Sequence, residues 1–140
     1  MNSARKVSIA AAAVLALALG GMPAARAASL VGTWQGNFAM NGTRCNVQSI
    51  YMADGNYTEL MRCGTLMTRQ GGTYVLRGSL LVRVVESWEP RQQYVYGTGM
   101  QAMEKPPGGS WRIAFPDANT LQMRDVNFGG QLVLRRASPF

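Results

Sequence analysis

Few residue types in this chain are equipped for chemistry. Histidine is absent, which removes Ser-His and Cys-His nucleophile pairs, imidazole general bases and most transition-metal sites in one step. Four polar side chains fall on one expected inner face: Ser49, Tyr51, Tyr57 and Glu59. A few aimed hydrogen bonds in a mostly apolar setting orient a small guest without transforming it, so these four are the expected ligand-binding residues. Glu59 also has a purely structural reading. A buried carboxylate is costly unless paired, so it can equally be an acid tied to the arginine that covers Trp34, with the two tyrosines filling the core.

Other constellations fail on geometry. Glu86 and Glu89 resemble a carboxylate pair for glycoside hydrolysis, but on a strand three residues of spacing sends them to opposite faces. Ser110 follows two glycines and has no base. Gly97-Thr98-Gly99 superficially fits a dinucleotide fingerprint without the strand–turn–helix setting that such a loop needs. Seven of the nine methionines lie beyond residue 27, and thioethers bind Cu(I), yet Met40, Met61 and Met123 fit inner faces as core residues. The reading is a non-enzyme with no catalytic residues, no metal and no cofactor.

The setting of these residues is expected to be outside the cytoplasm. Arg5 and Lys6 precede an apolar run from Val7 to Leu19, and Ala25-Arg26-Ala27 has the small-x-small form of a cleavage site, so residues 1–27 read as a secretory signal peptide. The apolar run is too short to span a bilayer, no later run is longer, and no cysteine stands at the cleavage point. A periplasmic or secreted protein without a transmembrane segment or lipid anchor is expected. Removing 27 of 140 residues leaves 113, enough for one domain, residues 28–140, with 11 basic against 7 acidic side chains. That mild basic bias does not suggest nucleic acid as a partner, which an exported protein seldom meets. In an oxidising compartment the two cysteines, Cys45 and Cys63, read as a disulfide.

From Leu30 onward, short runs alternate with period two, and turn dipeptides interrupt them about every eight to twelve residues. The pattern predicts an all-β meander of eight or nine strands. Asn41-Gly42 predicts a two-residue type I′ turn pairing Met40 with Thr43, and Ala53-Asp54-Gly55 a three-residue loop pairing Met52 with Asn56. Together they place Cys45 opposite Cys63 in a non-hydrogen-bonded pair, the closer kind. Trp34, Phe38, Met40, Val47, Tyr51, Tyr57 and Met61 then share the interior with the disulfide, and Ser49 faces Glu59. Farther on, Leu80, Val82 and Val84 are expected inside with Arg83 outside. Trp111, Ile113 and Phe115 should face Leu121 and Met123. On the last strand, burial of Leu132 and Leu134 turns Arg136 inward, whereas strict alternation from the preceding loop favours Val133 and Arg135; burial favours Arg136. A sheet this long must close to hide its edges, giving an antiparallel up-and-down barrel of about eight strands.

Val31-Gly32-Thr33-Trp34-Gln35-Gly36, the meander, and Leu132-Val133-Leu134-Arg135-Arg136 together resemble the lipocalin and avidin-like (calycin) barrels. The resemblance implies that Trp34 closes one barrel end and that Arg136, or Arg135, packs over it, a contact that gains cation–π energy. A narrower similarity is to the periplasmic lipocalin-like inhibitors of bacterial metalloproteases, which share an early Gly-x-Trp, two disulfide-bonded cysteines and a basic last strand. Two expectations follow. The lumen binds a small, largely apolar molecule or lipid fragment, or it is packed and the protein acts as a protein-binding module, such as a protease inhibitor or cell-envelope factor.

Overall fold

Two hairpin turns set the first three strands in the expected register. In the computed structural model, which describes residues 30–137, Asn41 and Gly42 both have positive φ, 50° and 79°, as a type I′ turn requires. They join β1 (Gly32–Met40) to β2 (Thr43–Tyr51) with Met40 opposite Thr43 and Trp34 opposite Ser49. Gly55, at φ 90°, closes the loop into β3 (Asn56–Cys63), and Ser49 stands opposite Glu59 and Cys45 opposite Cys63. The Cys45–Cys63 disulfide is formed, with Cα atoms 4.2 Å apart. It closes a loop with a sequence separation of 18, worth about 3 kcal/mol on a chain-entropy account.

The wall continues through β4 (Leu66–Arg77), β5 (Leu80–Glu89), β8 (Gly109–Asp117), β9 (Thr120–Asp125) and β10 (Gln131–Arg136). β10 returns to β1, giving a closed antiparallel barrel of eight strands, an architecture compatible with a calycin. Between β5 and β8 the chain makes a separate two-stranded hairpin, β6 (Gln92–Val95) and β7 (Gly99–Ala102). This hairpin brings the strand number to ten. All elements lie in the unit that begins at Val31. The expected signal peptide, residues 1–27, lies outside the described residues. No helix among the described residues is long and apolar enough to cross a membrane.

Trp34 and Arg136 meet where β1 pairs with β10. Trp34 is fully buried, pairs in register with Arg136 and carries its guanidinium 4.4 Å above the ring. Arg136 also donates from Nε to the Ala118 carbonyl and from Nη1 to the Val31 carbonyl, at 3.2 and 3.0 Å. Gly32 makes this fit possible, since a Cβ there would stand 2.6 Å from Arg136 Nη1. The Phe115 ring lies 6.1 Å from that of Trp34, and Leu121 and Leu134 on the adjoining strands are fully buried. Arg136, rather than the exposed Arg135, is the inward arginine, and Val133 faces out.

Met40, expected inside, is 46% exposed at the end of β1 beside the Asn41-Gly42 turn, and two further sequence expectations are corrected here. On β5 the inward residues are Leu81, Arg83 and Val85, all buried, while Val84 is 50% exposed. The physical reason is the tight Gly78-Ser79 turn: it pairs Arg77 with Leu80, hence Leu76 with Leu81 and Tyr74 with Arg83. Because both faces of Leu80–Val85 are largely apolar, alternation alone did not identify the inner one. The second correction concerns Glu59. Its partner is Arg83, not the arginine over Trp34, whose donors are directed to backbone carbonyls.

Candidate functional site

A charged group inside a barrel must be neutralised where it sits. Glu59 on β3 and Arg83 on β5 are 13% and 8% exposed, and Arg83 Nη1 lies 2.7 Å from Glu59 Oε2. The same Oε2 accepts from Ser49 Oγ at 2.9 Å, and Oε1 accepts from Gln70 Nε2 at 2.9 Å. Arg83 Nη1 also reaches the Tyr51 hydroxyl at 3.1 Å. Its guanidinium lies 4.3 Å from the Trp111 ring centroid and 4.8 Å from that of Tyr57. Low surrounding polarity strengthens each of these bonds, so the cluster is a rigid polar knot in an apolar core.

The electrostatics follow from burial and from Arg83. Burial pushes the Tyr51 hydroxyl up to about 12, with the neighbouring guanidinium pulling the other way. Tyr57 is raised for the same first reason. Arg83 is held above its ordinary value: burial would lower it, but the surrounding Tyr51 and Glu59 outweigh that. Both tyrosines therefore stay neutral and Arg83 stays charged at any physiological pH.

All four expected ligand-binding residues thus converge on one knot, in two layers. Ser49 and Glu59 form the layer nearer the disulfide. Tyr51 and Tyr57 stack on one another below it, with centroids 6.1 Å apart, and Tyr74 meets Tyr51 edge-on at 5.2 Å. The Tyr57 hydroxyl, Gln70 Oε1 and Arg83 Nε are buried without a hydrogen-bond partner.

Above the knot is a cavity of about 340 Å³. Glu59 and Gln70 form its polar lining at the knot, while Met61, Leu66, Trp88, Pro90, Met103 and Pro106 supply most of the apolar wall. Of the four expected ligand-binding residues only Glu59 lines it; Ser49, Tyr51 and Tyr57 are not part of that wall. Trp88 faces inward because the β4–β5 pairing slips by one residue at Gly71/Gly72, so that Gln70 pairs with Trp88 and Gly71 with Ser87. The indole is fixed: Trp88 Nε1 donates to the Met103 carbonyl at 3.1 Å, and Arg91 lies 3.6 Å from its ring. The base of the β6–β7 hairpin therefore builds one side of the cavity.

The sequence reading missed Arg83, Gln70, Trp88 and Met103. For Arg83 a signal existed, since a buried Glu59 demands a cation and the Gly78-Ser79 turn fixes which face of β5 turns inward. Gln70 was within reach too, immediately before the Gly71-Gly72 break and opposite Glu59. No local signal marks Met103 as a neighbour of Trp88, which rests on the path of the hairpin.

No protein-family model matches this chain, and no curated protein matches it.

Proposed function

We propose that the protein is an exported, lipocalin-like, non-enzymatic barrel that binds a small, largely apolar molecule in the cavity above Glu59. One observation carries this reading: an apolar chamber of about 340 Å³ that ends on a buried, hydrogen-bonded carboxylate. That volume is at the low end of ligand clefts, and apolar walls with a few fixed polar groups are the usual composition of such sites. The disulfide is compatible with an oxidising compartment. Trp88, tied to Met103, gives the guest a preorganised aromatic surface and limits the entropy lost on binding.

A second reading, as a protein-binding module, is favoured by a different observation. Residues 92–103 carry no charge, and within them Tyr94, Tyr96 and Met100 are 65%, 94% and 60% exposed. Exposed tyrosines free of neighbouring charges are typical of protein contact sites. Native mass spectrometry of the protein isolated from its own cell envelope separates the two. A small-molecule adduct of a few hundred daltons supports the carrier reading; a protein or protease bound to a ligand-free chain overturns it.

A further inference from the structure

The outer face of β10, β1, β2 and β3 carries a polar groove of about 720 Å³, away from the chamber. Gln35, Asn37, Asn46, Gln48, Arg62 and Arg135 form its polar lining. Strand pairing sets these side chains in two neighbouring rungs. Arg135, Gln35 and Gln48 stand in line across β10, β1 and β2, and Asn37, Asn46 and Arg62 across β1, β2 and β3. The rungs are two residues apart along each strand, or about 7 Å, and an arginine closes each at opposite ends of the groove. Among the described residues, none of the four amides is hydrogen-bonded to another side chain. Arg135 donates to Thr120 Oγ1 at 3.3 Å and Arg62 reaches the Met67 sulfur at 3.9 Å. Asp117 feels the charge of Arg135, but among the described residues no carboxylate forms an ion pair with either arginine. No acidic and no aromatic residue lines the groove among the described residues. Leu60 joins it to a second hollow of about 370 Å³, bordered by Met67, Arg69, Glu89 and Pro90.

We infer that this groove is a binding site separate from the chamber, for a uronic-acid oligosaccharide lying across the strands. It holds whether or not the chamber takes a guest. A guanidinium takes a carboxylate through two parallel bonds, and the two arginines are free of competing acids. Each side-chain amide offers donors beside an acceptor, the pattern that adjacent sugar hydroxyls satisfy in return. From β10 to β3 the groove crosses three strand spacings, about 14 Å, which is longer than one sugar ring, and it continues past Leu60. The contents also exclude the neighbouring chemistries. An uncharged sugar is gripped chiefly by the C–H face of its ring on an aromatic plane, and this lining has none. Single-stranded nucleic acid needs the same planes to stack its bases. An acidic peptide answers the arginines, but its carboxylates only accept, so it offers the four amide oxygens far fewer donors than a hydroxylated chain does.

The test titrates hexagalacturonate, maltohexaose and hexaglutamate calorimetrically into the intact protein at low salt. The first carries charge and hydroxyls, the second hydroxyls alone and the third charge alone. Hexagalacturonate should bind about tenfold more tightly than either of the others, or more, and should weaken as salt is added. All four positions to be varied are exposed. Arg62→Gln combined with Arg135→Gln should lower hexagalacturonate affinity about tenfold. Asn37→Ala combined with Asn46→Ala should lower it too, while leaving hexaglutamate nearly unchanged. In NMR of the unmodified protein, hexagalacturonate should shift the side-chain amide resonances of Asn37 and Asn46 and leave the Met61 and Met103 methyls of the chamber still. Absence of hexagalacturonate binding overturns the inference, as does equal or tighter binding of hexaglutamate, maltohexaose or an oligothymidylate of the same length. Shifts at Met61 and Met103 in place of the amides would move the sugar into the chamber and overturn it as well. The comparisons in the unmodified protein decide even if a variant does not fold.

Discussion

Arg83 Nη1 stands 2.7 Å from Glu59 Oε2 inside the barrel, within the Leu80–Val85 stretch of β5 that offers apolar residues to both faces. Removing one member leaves the other charge buried and uncompensated. Arg83→Met should therefore cost about 3–5 kcal/mol, and Glu59→Gln should cost less because a neutral amide can still bond to Ser49 and Gln70. The double variant should recover a substantial part of the Arg83→Met loss. Urea unfolding of all four proteins closes the cycle; additive losses would mean that the two groups do not interact.

The contact between Trp34 and Arg136 makes a smaller, separable contribution. Arg136→Ala deletes the guanidinium over Trp34 together with its bonds to the Val31 and Ala118 carbonyls. A loss of about 1–2 kcal/mol is expected. Because part of it depends on the indole, the loss should shrink in a Trp34→Leu background. Thermal or urea unfolding reads both values, and an equal loss in the two backgrounds would assign the whole effect to the carbonyl bonds.

The register slip between β4 and β5 depends on a missing side chain. A Cβ on Gly72 would collide with the Val84 carbonyl oxygen. Gly72→Ala should cost about 1–3 kcal/mol through backbone displacement. It should also shift indole emission to the red, since the slip is what turns Trp88 inward. Unchanged stability and emission would show that the strands pass one another without this close approach.

Tyr51 gives the fold an alkaline limit. Its folded value of about 12 is raised above the ordinary 10.0 by burial. Above pH 10 the unfolded chain therefore loses this proton first. The stabilisation is fully present below pH 10 and is lost as pH rises through about 12. Ultraviolet titration of the phenols should show a late component that Tyr51→Phe removes. If the variant titrates like the parent, the Tyr51 hydroxyl is not held neutral by its surroundings.

The first three strands were legible because two short turns fix them and each residue count then follows. Trp34, Arg136, the disulfide and the Ser49–Glu59 pairing all descend from those turns and from the closing strand. β5 was not legible from alternation, since Leu80–Val85 offers apolar residues to both faces. The cavity was legible only in part. Its polar end follows from the position of Glu59, while its apolar wall joins Met61 to Trp88 and Met103 through a register slip and a hairpin insertion. Neither of these has a period that a local pattern can display.

The central claim is that the chamber above Glu59 receives the guest, and the methionine methyl groups report on it directly. Met61 and Met103 line the chamber, whereas Met123 is buried among the core residues and Met100 is exposed on the hairpin. With methyl-labelled protein titrated with 1-octanol, NMR should show the Met61 and Met103 resonances shifting together and saturating, with Met123 and Met100 nearly still. Shifts confined to Met100, or none at all, would contradict a ligand site inside the barrel.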